Sequence, residues 1–215
     1  VDMLLSGGQP LPHFDYHCPL LSLPLAFNTE LETIPTRLHY LTASNELRDK
    51  WAFKLGTKTK PRIGIAWSGN PSHINDRNRS LNLEFLLHYL PNSCEYICLQ
   101  KDIGEQDIEV LKQSTIRHFG DQMTDFAATA ALCDLMDLVI SVDTSVAHLA
   151  GAMGKPTWIL LPHIPDWRWL LDRDDSPWYP SVRLFRQDSA GGWDKVLENI
   201  KYALDEKFAA NKDAI

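Results

Sequence analysis

The sequence predicts an α/β fold built on a doubly wound parallel sheet, and two observations carry that prediction. From Arg62 onward, short apolar runs of strand length alternate with segments of helical periodicity. Residues 140–156 then read as a buried strand, an abrupt turn, a short helix of small residues and a glycine stop. Strands alternating with helices imply a Rossmann-like sheet with helices on both faces.

The elements follow in order. Residues 1–57 hold prolines at 10, 12, 19, 24 and 35 and little periodicity, so loops and short helical turns are expected there. They end in an amphipathic helix over 44–55, with Ser44 as cap, Leu47, Trp51 and Leu55 at helical spacing, and Gly56 as stop. Residues 58–61 read as a hinge. The expected division is therefore a tail and linker over 1–57 and an α/β domain over 58–215. In that domain strands are expected at 62–67, 95–100, 116–119, 137–142, 157–161 and 182–186. Helices are expected at 83–90, 105–113, 124–133 (Thr124 as cap), 144–153 and 193–207, the last with Val196, Ile200 and Leu204 on one face.

Composition bounds the function. The chain has 215 residues, is 44% hydrophobic and carries a net charge of −7. That balance argues against a general nucleic-acid binder, which needs clustered Lys and Arg. No run of about 18 apolar residues occurs, so no membrane span is expected. The chain opens on Val1 and shows no signal-peptide pattern, so it is expected to be a piece of a longer protein. Cys18, Cys94, Cys98 and Cys133 form no Cys-x-x-Cys pair, which predicts reduced thiols, a cytoplasmic location and no metal site. His13, Asp15 and His17 have a metal-like alternation but lack a fourth ligand, and a polar strand end is expected.

Ligands of a parallel sheet collect at the carboxyl ends of its strands. Four loops lie there: 68–80, 101–104, 120–124 and 143–145. Asp143, Thr144 or Ser145 can cap the helix that follows, whose first turn suits an anion, with His148 one turn further on. The plainer reading is an ordinary βα turn with a core histidine. In loop 68–80, Ser68 and Gly69 permit close backbone approach, and Arg77 and Arg79 are paired cations suited to phosphate. The alternative is a solvated loop with Arg77 paired to Asp76 or Glu84. Gln100 could read a base or sugar edge and Lys101 could reach a phosphate, or both lie in a solvated turn. Asp125 reads as a helix-dipole charge or a ribose contact. Residues 166–180 carry Trp167, Trp169, Trp178 and Tyr179 among alternating charges, and are expected to pack as a lid with Arg168 and Arg173 paired to nearby acids, the alternative being that the aromatic faces stack on a nucleobase or sugar. No nucleophile elbow, Walker motif or Gly-x-Gly-x-x-Gly fingerprint is present.

Residues 139–156 resemble the Asp-Thr-x-x-x-His-Leu-Ala-x-Ala-x-Gly-x-Pro signature of bacterial heptosyltransferase-like glycosyltransferases of family nine. Strand 64–70 and loop 76–80 resemble the first βα unit of their donor domain. Residues 166–169 and 174–180 resemble the variant attached to tetratricopeptide repeats. The resemblance runs from about Pro10 to Leu204. It implies a GT-B arrangement of two Rossmann-like domains, of which this chain is the second, donor-binding one plus the tail of the first. It implies donor diphosphate at Asp143, Thr144, Ser145 and His148, and donor phosphate or sugar at Ser68, Gly69 and Arg79. Gln100, Lys101 and Asp125 remain base or ribose candidates. Arg79 stands where heptosyltransferases often carry lysine, and Ser145-Val146 where many carry Gly-Pro or Gly-Leu. The family's catalytic carboxylate has no counterpart here, so none is assigned.

The implied function is inverting, metal-independent transfer from a nucleotide-diphospho-sugar to a sugar, lipid or protein acceptor, with no cofactor. This chain is expected to bind nucleotide and to transfer sugar poorly or not at all alone. Its expected partners are the N-terminal domain and tetratricopeptide repeats of a full-length protein. The alternatives are a nucleotide-sugar epimerase-like enzyme and a non-catalytic nucleotide-binding module.

Overall fold

The computed structural model describes residues 2–189 and 192–209. The chain clusters into two compact units, Val1–Pro35 and Thr36–Ile215. In the first, short 3-10 turns flank the helical turn α1 (Leu23–Ala26), and Glu30 and Thr33 form a capping box. His13, Asp15 and His17 lie in irregular, exposed chain rather than on the expected strand end. Among the described residues no group of three His, Cys, Asp or Glu is placed to hold a metal ion.

The second unit begins with α2 (Asn45–Leu55), followed by β1 (Arg62–Ala66), α3 (Asp76–Arg79), α4 (Leu83–Leu87), β2 (Glu95–Cys98) and α5 (Glu105–Gln113). Then come α6 (Phe126–Asp134), β3 (Leu138–Val142), α7 (Ser145–Ala152), β4 (Thr157–Leu161), β5 (Val182–Arg186) and α8 (Trp193–Ala209). The strands form one sheet in the order β2-β1-β3-β4-β5, and every neighbouring pair is parallel. This is the doubly wound α/β fold expected from the alternation.

The sheet is covered on both faces, with β1, β3 and β4 buried at every position, while the edge strand β5 keeps Arg183 exposed. Ile63, Ile65, Leu138, Ile140, Trp158 and Leu160 pack with Leu83 and Leu86 of α4, Leu111 of α5 and Val196, Ile200 and Leu204 of α8. The alternate residues Ala66, Ile97 and Val139 pack with Trp51 and Leu55 of α2, the alanines of α6 and Ala150 of α7. Among the described residues no helix is long and apolar enough to cross a membrane.

An ionic knot ties α2 to the sheet at the end away from the loops. Arg62, whose side chain is 5% exposed, donates to Glu95 at 2.9 Å and to the carbonyls of Leu55 and Gly56. Arg117 donates to Glu95 at 2.8 Å and to the carbonyls of Lys54 and Leu55. The two guanidiniums thereby satisfy the last carbonyls of α2. Burial raises the Glu95 carboxyl, but its bonds to Arg62 and Arg117 outweigh that and hold it below the usual glutamate range.

The structure corrects several boundaries. The strand expected at 116–119 is a single bridge between Ile97 and Arg117, because the chain turns at once into the 3-10 turn Gly120–Gln122. Asp125, not Thr124, caps α6, its carboxylate accepting from Ala128 N–H at 2.8 Å. Loop 68–80 contains the helical turn α3, whose geometry folds Arg79 back toward the sheet. Helix α4 stops at Leu87, after which Tyr89 and Leu90 bond to carbonyls only three residues back. Of the tryptophans in 166–180, Trp169 is fully buried while Trp167 is exposed, and Arg168 and Arg173 pair with Asp166 and Asp175.

Candidate functional site

The sheet reverses its winding between β1 and β3. From β1 the chain runs outward to β2, then returns to place β3 on β1's other side. The loops leaving β1 and β3 therefore diverge and leave a crevice at their carboxyl ends. A cleft of about 1100 Å³ lies there. Ser68, Gly69, Asp76, Arg79 and Ser80 line it from the β1 loop, Gln100 to Gly104 from the end of β2, Met123 to Phe126 from the start of α6, and Thr144, Ser145 and Val146 from α7. Eight of the ten sequence candidates, all except Asp143 and His148, line this cleft.

The first turn of α7 faces the cleft uncapped. Thr144 occupies the N-cap with an extended backbone, yet makes no side-chain cap bond. Its hydroxyl lies 3.1 Å from Ser141 Oγ instead. The expected cap is thus not made. Thr144 O accepts from Ala147 N–H at 3.0 Å and from His148 N–H at 3.4 Å. The N–H groups of Ser145 and Val146 have no partner among the described residues, as the start of an uncapped helix requires.

One arginine joins the two loops. Arg79 Nη1 donates to the carbonyl of Asp143 at 2.6 Å, and its Nε donates to Asp76 Oδ1 at 3.2 Å. Asp76 Oδ1 also accepts from Ser80 Oγ at 3.0 Å, and Ser80 Oγ accepts from Gly69 N–H at 2.9 Å. Asp76 therefore pairs with Arg79, and Arg77 stays exposed. Gly69 lets the network close: a Cβ there would overlap the Arg79 guanidinium and approach Asp76 Oδ1 to 2.6 Å. Arg79 Nη2 keeps no partner among the described residues.

Gln100 has a different task from reading a ligand. Its Oε1 accepts from Trp67 N–H at 2.6 Å and Ser68 N–H at 3.0 Å, and its Nε2 donates to Ser68 Oγ at 2.8 Å. The side chain is spent bracing the exit of β1. Asp107, fully buried, braces the same exit from behind by accepting from Trp67 Nε1 at 2.7 Å and Leu83 N–H at 3.1 Å. Lys101 stands exposed at the rim, and Asp125 is engaged as the α6 cap.

Asp143 and His148, which do not line the cleft, lie close together. His148 Nε2 is 3.7 Å from Asp143 Oδ1, and Nδ1 is 3.0 Å from Tyr179 Oη. The imidazole stacks on Trp169 at 5.0 Å between ring centroids and 19° between planes. Burial raises the neighbouring Asp166 carboxyl, but hydrogen bonds from Arg168 outweigh it and hold the group below the usual range, with the nearby His148 adding to the effect. Sequence reasoning missed Asp76, Ser80, Asp107 and Tyr179 as parts of this scaffold. A buried acid at an apolar position of α5 was a readable signal for Asp107; the others reveal themselves only through tertiary contact.

Residues 122–161, which span α6, β3, α7 and β4, match the family model for Glycosyltransferase family 9 (heptosyltransferase). Protein FlbA of Caulobacter vibrioides is 37% identical over 210 residues, covering 92% of this chain and 34% of that protein. Among solved structures, the E. coli ADP-heptose LPS heptosyltransferase II superposes with a TM-score of 0.57 at 14% identity, over 84% of this chain and 57% of that one. A family 9 glycosyl transferase from Veillonella parvula gives 0.52 at 13% identity, over 80% and 54%. The chain thus spans about a third of FlbA and just over half of the solved enzymes. At these identities the structural likeness establishes the fold, a parallel α/β sheet of the kind those glycosyltransferases use.

Proposed function

We propose that this chain is the nucleotide-sugar-binding side of a family 9 glycosyltransferase, and that the crevice between β1 and β3 holds the phosphates of the donor. The uncapped start of α7 carries this reading. The unpartnered N–H groups of Ser145 and Val146, at the positive end of a helix dipole, lie at the cleft at the switch point of the sheet. Arg79 Nη2 and the hydroxyls of Ser68 and Ser145 line the same space. Lys101 and the exposed Phe126 border the part of the cleft left for the nucleoside.

The chemistry then follows. An acceptor hydroxyl, losing its proton to a base, attacks the anomeric carbon opposite the leaving group. The bond from that carbon to the phosphate oxygen breaks, and the nucleotide departs with the electron pair. Negative charge grows where the α7 N–H groups and Arg79 converge, which is where preorganised donors lower a barrier. In this proposal the transfer inverts the anomeric centre and uses no metal, since the helix end and guanidinium supply the counter-charge. The base and the acceptor site belong to a second, GT-B-type domain. FlbA, three times as long as the matched stretch, leaves room for that domain and for tetratricopeptide repeats.

Titration of the chain with ADP, GDP, UDP and CMP by calorimetry tests the reading. Binding at sub-millimolar concentration that Arg79→Ala weakens at least tenfold is expected. No heat of binding with any of them at several millimolar would overturn it. Release of free nucleotide from a nucleotide-sugar without an acceptor would favour an epimerase-like enzyme.

A further inference from the structure

We propose that Tyr179 is a positioning residue of this site: its hydroxyl fixes His148 in the tautomer whose Nε2–H faces Asp143, and so keeps the Asp143 carboxylate off the start of α7. The proposal rests on the donor-site reading above.

The two imidazole nitrogens face different chemistry. Asp143, 3.7 Å from Nε2, is a carboxylate and can only accept. Tyr179, 3.0 Å from Nδ1, can donate or accept. Burial, and the charge and hydrogen bond of the Tyr40 side chain, push the Tyr179 phenol above its usual range, so it keeps its proton. One neutral tautomer suits both neighbours: Nδ1 accepts from Tyr179, and the Nε2–H dipole points at the carboxylate. The other would set a lone pair against Asp143. Which nitrogen holds the proton is thus decided by the bond made at the opposite one.

The ring is also held mechanically. Trp169, fully buried, stacks on one face of His148, and Tyr179 meets it edge-on at 5.8 Å. Tyr179 reaches this place because α7 carries glycine at 151. A Cβ there would lie 2.7 Å from Tyr179 Cγ. His148 and Gly151 are three residues apart, on one face of the helix, so a single aromatic ring contacts both.

The consequence concerns competition. Asp143 lies two residues before Ser145, close enough for a freed carboxylate to reach the unpartnered N–H groups and displace an incoming phosphate. Attraction to His148 holds it elsewhere. The charged or titratable groups facing this cluster are Asp143 from the turn, Asp166, Arg168 and Tyr179 from the 162–180 segment, and Tyr40 from the strap crossing the end of α7.

Tyr179→Phe keeps the ring and removes the hydroxyl. Imidazole nitrogen NMR, with His148 identified by loss of its signals in His148→Asn, reads the tautomer directly. The wild type is expected to hold the Nε2–H form and the variant a mixture of both. Gly151→Ala, which displaces the same ring from the helix side, is expected to reproduce the mixture. The Tyr179→Phe chain should bind ADP or GDP about three- to tenfold more weakly than wild type. An unchanged tautomer in both variants, or undiminished nucleotide affinity in Tyr179→Phe, would overturn the proposal. If wild-type chain binds no nucleotide, the donor-site reading fails and the NMR result alone decides the role of Tyr179.

Discussion

Replacing Ser145 with proline isolates the backbone donor on which the donor-site reading depends. Ser145 is the first residue of α7, and proline is tolerated there because the first N–H has no helical partner. The residue before a proline must be extended, and Thr144 already is, with φ −139° and ψ 173°. Ser145 is exposed, so the ring meets no packed neighbour. Ser145→Pro should therefore fold with a Tm within about 2 °C of wild type, while losing one donor to a charged ligand. A hydrogen bond to an ionised group contributes about 1.5–3 kcal/mol, so nucleotide affinity should fall about 10- to 150-fold. Ser145→Ala removes the hydroxyl but keeps the N–H, and should lose less than about tenfold. Calorimetric titration of the two variants with the best-binding nucleotide separates the donors. Equal affinity of the proline and alanine variants would refute the claim that this N–H holds phosphate.

Other perturbations test the scaffold. Gly69→Ala forces the Arg79 guanidinium from its place and should destabilise the fold by about 1–3 kcal/mol while weakening nucleotide binding, read by urea denaturation and titration. Asp107→Ala strands the buried Trp67 indole N–H and the Leu83 N–H, a loss of about 2–6 kcal/mol by denaturant unfolding. For Glu95, the folded carboxyl titrates below its unfolded range, so its contribution is present above the ordinary glutamate pKa of about 4.3 and is lost as pH falls through the depressed folded value. Glu95→Gln should lower stability at neutral pH and flatten the acid limb of a plot of stability against pH. A variant as acid-sensitive as wild type would argue against the Arg62–Glu95–Arg117 knot.

The fold was legible because its signals are local and repeated. The strands are mainly apolar, and the runs that matter most, 62–66 and 138–142, are buried at every position. The turn into α7 was legible for the same reason: Asp143-Thr144-Ser145 after a buried strand announces a helix start whatever lies around it. Roles were less readable. Gln100 ends a strand and lines the cleft, which is why it reads as a ligand contact, but its amide oxygen is already engaged by the Trp67 and Ser68 N–H groups. The segment 116–119 reads as a strand because its place in the strand–helix alternation calls for one, yet only the Ile97–Arg117 bridge forms before the chain turns at Gly120.

The missing cap on α7 joins stability to the proposed function. Serine, threonine or aspartate at an N-cap normally bonds the helix's own N–H groups, and forgoing that bond costs about 0.5–2 kcal/mol. Thr144 has the residue type and the extended backbone of a cap, yet its hydroxyl turns to Ser141. On the proposed function, a helix end left open in this way is an anion site maintained against the protein's own stability. Thr144→Asp should close it: a carboxylate at this position accepts from the free Val146 N–H, complements the helix dipole and fills the anion site with a fixed negative charge. The expected result is a Tm raised by about 2–4 °C, the shift of about 1 kcal/mol in a chain of this size, together with loss of nucleotide binding. A fall in Tm, or binding that survives the carboxylate, would show that the open helix end is not where the phosphates sit.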